Sequence, residues 1–261
     1  MAIGHAAALA QRELEELTRS AEEARDFVLT PADCRQVERY LNPPADAPYS
    51  LEYAYHLLGN ISGKNIIDLG CGTGENLVPL AAYKANVTGI DVSPHLVRLA
   101  QDRIDLAGSR ATVRVGSAYH TELSDESVDV IFCIALIHHL EIALVRDEMW
   151  RVLKKGGVVI LQEPTRFSRI YAALRKLLPT NEHSSEHEHP LTKKDLECLG
   201  KRFTRDGVRY FRLPFVPLID RLVRPMSRSW IEIIHRLSSG VIQAFPWSEH
   251  FATVVVMRLR K

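Results

Sequence analysis

Residues 65–81 read NIIDLGCGTGENLVPLA: a β-branched run, a turn with glycine at 70, 72 and 74, and a helical stretch in direct succession. Glycines in such a turn let the backbone bend sharply and let a ligand approach with no Cβ in the way. In parallel α/β sheets ligands bind outside the carboxyl ends of the strands, which is where this loop must sit. The spacing then discriminates between ligands. A dinucleotide turn needs G-x-G-x-x-G, but the third glycine falls on Glu75 counting from Gly70 and on Leu77 counting from Gly72. A phosphate-binding P-loop needs Lys followed by Ser or Thr, and neither is present. No Lys or Arg lies between Asp68 and Tyr83, while acids stand at Asp68 and Glu75. Such a loop suits a ligand with a sulfonium and an ammonium group and no phosphate. Seventeen residues after Gly74, Asp91 closes the run VTGID; a carboxylate there accepts from the two hydroxyls of a ribose.

Other side chains could act on a second substrate. His138 and His139 follow an apolar run at the same expected sheet edge, and either could take a proton near neutral pH. Glu163, at the end of the next strand, could orient such a histidine. His183, His187 and His189 with Glu182, Glu186 and Glu188 offer an H-x-x-x-H spacing. Ser184, Ser185 and Pro190 disfavour the helix that spacing needs, so this stretch reads as a solvated polar loop and no metal site is expected. Cys34, Cys71, Cys133 and Cys198 form no C-x-x-C pair, which fits reduced thiols in an intracellular protein.

The elements that must position these groups follow from periodicity. Strands are predicted at 65–69, 87–91, 111–115, 129–134 and 157–162, with helices at 75–83, 94–107 and 142–153 between them. Ser93 followed by Pro94 is a helix start, an N-cap and then proline at the first helical position. This alternation predicts an α/β fold, a doubly wound parallel sheet covered on both faces. Two later strands, 208–213 and 253–259, could pair antiparallel at one sheet edge. An amphipathic helix is predicted at 6–29 (Leu14, Leu17, Ala21, Ala24, Val28), then a break at Pro43, Pro44 and Pro48, then a short helix at 51–58. The chain is accordingly divided into an N-terminal helical cap, 1–62, and a main domain, 63–261, with a helical insert at about 214–250.

With 33 Lys plus Arg against 32 Asp plus Glu, global charge names no partner. Locally, residues 1–62 carry five Arg, no Lys and ten acids, while residues 201–236 carry nine Lys or Arg against three acids. The first residues turn acidic too soon for a signal peptide, and no run is apolar and long enough to span a membrane. A cytoplasmic location is expected.

Four ordered stretches, IIDLGCGTG, VTGIDVSPHLVRLAQ, VDVIFCIALIHHLE and VLKKGGVVILQEP, resemble the motifs of the class I S-adenosylmethionine-dependent methyltransferases, in their small-molecule group (type 11). The resemblance covers Ile66 to Leu153 and the strand beyond. It implies a Rossmann-like seven-stranded sheet with the last strand antiparallel, and S-adenosyl-L-methionine as cofactor. It implies a binding set of Asp68, Gly70, Cys71, Gly72, Gly74, Asp91, Val92, Ser117, Ala118 and Cys133, in which Gly70, Gly72 and nearby backbone hold the methionine end and Val92 packs on adenine. Many relatives carry Asp after the third strand to accept from the adenine amino group. This chain has Ser117, a neutral and weaker acceptor. Beyond that set, His138, His139 and Glu163 are the catalytic candidates.

The acceptor is expected to be a small lipophilic molecule, with O-methylation favoured over C- or N-methylation. The insert supplies Val216, Ile219, Leu222, Val223, Met226, Trp230, Ile233, Ile234 and Leu237 with Arg221, Arg224, Arg228 and Arg236 between them. That stripe is expected to line the acceptor pocket; packing in the core and peripheral contact with a membrane are the alternatives. A nucleic-acid methyltransferase fits the basic region 201–236, yet the fourth strand ends in CIAL and lacks the Pro-Pro-aromatic motif of amino-directed DNA enzymes. Asn42-Pro43-Pro44 precedes the glycine loop and reads as a linker. A binding protein that keeps the fold without catalysis is the remaining alternative, and the intact loop with Asp91 argues against it.

Overall fold

The computed structural model describes all residues except 1, 26, 31–33, 169–188, 215 and 217–227. Seven strands form one sheet in the order β3-β2-β1-β4-β5-β7-β6. They are β1 (Asn65–Leu69), β2 (Asn86–Asp91), β3 (Thr112–Val115), β4 (Val128–Ile134), β5 (Leu153–Pro164), β6 (Thr204–Phe211) and β7 (Val254–Arg260). β1 to β5 pair in parallel, and β7 runs antiparallel to both β5 and β6. The two late strands do pair antiparallel, but β7 enters the sheet interior and leaves β6 as the edge. β6 begins earlier than its alternation suggests because the ladder is irregular between Arg205 and Gly207, where a bulge interrupts the two-residue period.

The central strands are apolar on both faces and separate two cores. On one face Ile131, Val159, Leu161 and Met257 pack with Val145 and Met149 of α6 (Ile142–Val152) and with Leu196 and Leu199 of α7 (Lys193–Gly200). On the other, Phe132, Ile160 and Val256 pack with Leu80 of α4 (Leu77–Ala82), Ala100 and Ile104 of α5 (Pro94–Leu106), and Tyr55 and Leu58 of α3 (Ser50–Leu58). α3 therefore shares the sheet's own core, and packing continues across residue 62. Tyr55 is fully buried and stacks on Tyr40 with ring centroids 4.3 Å apart. Tyr40 comes from α2 (Cys34–Leu41), a helix in a stretch where periodicity alone predicts none. α5 starts as its sequence dictates, Ser93 Oγ accepting from Leu96 N at 3.3 Å with Pro94 next in line.

At the N-terminus α1 (Ala2–Arg25) is shorter than expected at its far end, and Leu14 and Val28 are exposed. α8 (Arg228–Ala244) belongs to the insert. Its inner face docks beside β6: Ser238 Oγ accepts from Leu213 N at 3.0 Å, and Ile242 packs with Leu213 and Ala252. Its outer face leaves Trp230, Ile233, Leu237 and Val241 exposed, with Phe245 just beyond. Ile219, Leu222, Val223 and Met226, with Arg221 and Arg224, lie outside the described residues.

A buried carboxylate fixes the loop between β3 and β4. Glu148 of α6 accepts from Thr121 N at 2.7 Å and Thr121 Oγ1 at 2.6 Å, and pairs with Arg151 at 2.8 Å. Burial opposes the charge, but Arg151 and the two Thr121 donors outweigh it and hold the carboxyl down at about 2. A depressed carboxyl stabilises the fold above its unfolded value of about 4.3 and loses that contribution as pH falls toward 2. Glu148→Gln should therefore cost about 1.5–3 kcal/mol at pH 7 and less as pH falls through that window. Urea unfolding at pH 7 and pH 3 checks this; an equal loss at both would show packing, not charge, to be the cause.

Candidate active site

The loop after β1 meets the turn after β2 through one side chain. Asp91 Oδ2 accepts from Gly72 N at 2.9 Å, and its Oδ1 accepts from Ser93 N at 2.9 Å. Burial raises the Asp91 pKa above the ordinary carboxylate value, opposed by those two N–H groups. Below it, Gly70 N and Cys71 N both donate to Ile90 O, at 2.8 and 3.2 Å. Arg103 of α5 is buried and reaches Thr73 O at 2.9 Å, and Tyr55 donates to Asn76 at 3.0 Å. The glycine loop is thus held from three sides.

Two of its glycines do different work. Gly72 has φ 52, and a Cβ there would meet nothing within 4 Å, so its open side is available to a ligand. Gly74 has φ 78, and a Cβ there would sit 2.9 Å from the Ala100 Cβ. Its smallness serves the packing of loop on helix, the reason being close approach rather than ligand access.

A cleft with about 730 Å³ of empty space opens beside this loop, lined by Gly70, Ile90, Asp91, Val92, Gly116, Ala118, Tyr119, Leu136, His139 and Leu140. Glu13, Glu15 and Glu16 of α1 complete its wall. No Lys or Arg is among the described lining residues. Asp68 lies beneath, 1% exposed, and its Oδ2 has no hydrogen-bond partner. Burial, and secondarily Asp91, push its pKa up to about 8. Cys71 and Cys133 are buried; burial pushes both thiols well up, so neither is a nucleophile, and neither lines the cleft.

Ser117 departs from its expected role. Its hydroxyl donates to Glu13 Oε1 at 2.5 Å and accepts from Tyr119 N at 3.1 Å, so its proton and one lone pair are already engaged. The three glutamates of α1 were invisible as site residues, because nothing in their local pattern distinguishes them from an exposed helical face.

The two histidines separate. His138 is buried, and its Nδ1 lies 2.8 Å from Glu163 Oε2. Glu163, fully buried, also accepts from Leu136 N and Ile137 N at 2.9 and 2.8 Å, fixing the turn after β4. His139 lies against His138, ring centroids 4.0 Å apart, and lines the cleft. Among the described residues of 214–250, none lines it. Of the expected pocket-lining stripe, Trp230, Ile233 and Leu237 are exposed on the outer face of α8, whose inner face packs beside β6. Among the described residues no group of three or more His, Cys, Asp or Glu could hold a metal ion, and His183 and His187 lie outside them.

Residues 67–161 match a family model described as a methyltransferase domain. Over 146 residues the chain is 32% identical to ubiquinone biosynthesis O-methyltransferase of Nitrosomonas europaea, an alignment covering 52% of this chain and 62% of that one. Over 135 residues it is 32% identical to demethylmenaquinone methyltransferase of Tropheryma whipplei, covering 48% and 54%. The chain spans about half the length of the curated relatives it matches. Geranyl diphosphate C-methyltransferase from Streptomyces coelicolor superposes with a TM-score of 0.57 at 16% identity, covering 95% of this chain and 98% of that one. An S-adenosylmethionine-dependent methyltransferase from Mesorhizobium loti gives 0.55 at 18% identity, covering 80% and 97%. At these identities the likeness is one of fold.

The strand order and the cleft beside the carboxyl ends of β1 and β2 are those of a Rossmann-like domain. Residues 67–161 are similar to a methyltransferase domain, and solved methyltransferases that depend on the cofactor S-adenosyl-L-methionine share this fold. The residues present fit that cofactor: an orphaned carboxyl oxygen on Asp68 awaits a cationic donor, Gly72 is open, and no cation lines the cleft.

The raised Asp68 pKa gives this fit a pH signature. A proton held in the fold above the unfolded value of about 4 stabilises it fully below that pH, and the contribution is lost as pH rises through about 8. An ammonium group set against Asp68 favours the charged form instead, so binding expels the proton near neutral pH. Calorimetry with S-adenosylhomocysteine at pH 7, in buffers of different ionisation enthalpy, should show release of up to about one proton. Asp68→Asn should abolish the release; release unchanged in that variant would place the titrating group elsewhere.

Proposed function

We propose that this protein is an S-adenosylmethionine-dependent methyltransferase acting on a small, lipophilic organic acceptor, most readily at a hydroxyl. The observation that carries the reading is the cleft itself. Asp91 and the glutamates of α1 line it together with apolar Ile90, Val92, Leu136 and Leu140 and with His139, and among the described residues no cation does. A nucleic-acid substrate would call for positive charge at the cleft, where glutamates stand instead. The O-methyltransferase name of the relative from ubiquinone biosynthesis agrees with a hydroxyl acceptor.

Bound cofactor supplies an electrophilic methyl on a sulfonium. In the proposed assignment Asp91 holds the ribose, Val92 packs on adenine, and Gly70, Gly72 and Asp68 hold the methionine end. His139, on the cleft wall, would take the proton of the acceptor hydroxyl when that oxygen faces the methyl. His138 and Glu163 act behind it as positioning residues. The reading is tested by incubating the protein with labelled cofactor and a panel of lipophilic phenols, with mass spectrometry for the gain of one methyl. On the acceptor so found, His139→Ala should lower turnover about 10²- to 10⁴-fold with cofactor affinity unchanged. Unchanged turnover from pH 6 to 9 would leave positioning as the whole of catalysis and favour a nitrogen acceptor.

The insert has a part in the same reading. α8 lies beside β6, whose Phe211 is level with Pro164 at the end of β5, on the edge where the cleft opens. No described helix is long and apolar enough to cross a membrane. The outward stripe, with Trp230 at one end and Trp247 beyond the other, beside a region rich in Arg, suits peripheral contact with an anionic bilayer holding the acceptor. Sedimentation with vesicles containing phosphatidylserine should fall as salt rises and fall further in Leu237→Glu, with melting temperature unchanged. Absence of vesicle binding with concentration-dependent dimerisation would assign the stripe to a second copy instead.

A further inference from the structure

The nucleoside end of the cleft is an apolar slot with a carboxylate at its mouth. Ile90, Val92, Gly116 and Ala118 line the slot, and Glu13 of α1 stands beside it. The residue placed by the sequence to accept from a base, Ser117, has its hydrogen directed onto Glu13 Oε1 at 2.5 Å and accepts from Tyr119 N. A hydroxyl engaged in this way orients its neighbour. The stronger acceptor at this point is the Glu13 carboxylate, which has lone pairs on both oxygens beyond the one Ser117 occupies. No lysine or arginine of the cleft competes for it.

We propose that Glu13 is the specificity residue for the cofactor's base: it accepts the hydrogen of the adenine 6-amino group, with Ser117 as the residue that positions it. The proposal rests on the cofactor reading given above. A carboxylate here favours a base with an amino donor and repels one with a carbonyl oxygen at the same position, so it discriminates adenine from hypoxanthine. It also gives α1 a role in the site, because the first helix then closes the nucleoside end across a sequence separation of 104 residues.

The test compares S-adenosylhomocysteine with S-inosylhomocysteine, which differs in carrying the carbonyl oxygen. Calorimetry on the full chain should give the wild type a preference of about tenfold to a hundredfold for the adenosyl compound, the range of a charge-assisted hydrogen bond. Glu13→Ala should collapse that preference by weakening the adenosyl compound while leaving the inosyl one equal or improved. Glu13→Gln, whose amide can donate to a carbonyl, should level the preference or reverse it. Ser117→Ala should reduce the preference only partly, since the carboxylate remains. A preference intact in Glu13→Ala, or one lost in Ser117→Ala alone, overturns the assignment to Glu13. A folded wild type that binds neither compound overturns the cofactor reading itself. Circular dichroism on each variant separates misfolding from lost recognition, and the conservative Glu13→Asp variant supplies a second reading by retaining part of the preference.

Discussion

The arrangement of this site depends on the carboxylate of Asp91 bridging two backbone N–H groups that belong to different loops. Gly72 N and Ser93 N would otherwise be donors at the open edge of a parallel sheet, and each is satisfied by one oxygen of the same side chain. The bridge sets the distance between the glycine loop and the start of α5, which fixes the width of the cleft. Charge-assisted hydrogen bonds of this kind are roughly twice as strong as neutral ones. They also offset the burial that would otherwise neutralise Asp91. Each oxygen keeps a further lone pair for a ligand, so the group that builds the site can also bind in it.

That construction concentrates negative charge. Burial, and secondarily the charge of Asp91, push the Asp68 pKa up to about 8. Adding Glu13, Glu15 and Glu16 at the wall makes the cleft hospitable to a cation and hostile to phosphate. The electrostatics and the glycine spacing therefore point to the same ligand chemistry from independent directions. On the other side of β1 the same device recurs in Glu163, which satisfies Leu136 N and Ile137 N while engaging His138. One buried carboxylate per loop fixes two neighbouring turns at the sheet edge.

Much of this was legible in the sequence because the signals are local. β1 falls on the predicted residues, and the start of α5 follows from Ser93 and Pro94 alone. The sheet with its antiparallel strand came through resemblance. What was not legible depends on contacts between distant segments. The order in which β7 enters between β5 and β6 is a tertiary choice that no alternation pattern encodes. Gly74 was grouped with ligand-binding glycines, yet its neighbour is Ala100, and only the docking of α5 reveals that. The histidine pair was ambiguous because two adjacent residues in a turn point to different places. Glu163, twenty-five residues beyond His138, decides which one is drawn inward.

The elements outside the core motifs divide the remaining work by where their charge and apolar surface lie. α1 brings acids to the wall of the cleft, and its contacts with α5 keep it beside the loop that α5 itself supports. α8 cannot do the same at the acceptor end, because Ser238, Ile242 and His235 commit its inner face to β6 and to Tyr49. The stripe that remains is on the wrong side of the helix to wall the cleft. On the proposed reading it lies on the edge from which an acceptor would enter, and its apolar surface would act on delivery of that acceptor. On that reading Leu136, His139 and Leu140, which line the cleft from the turn after β4, would be left to reach the methyl. Acceptor specificity on this reading has two parts that can change separately: the short turn that touches the reacting atom, and the insert that determines which molecules arrive there.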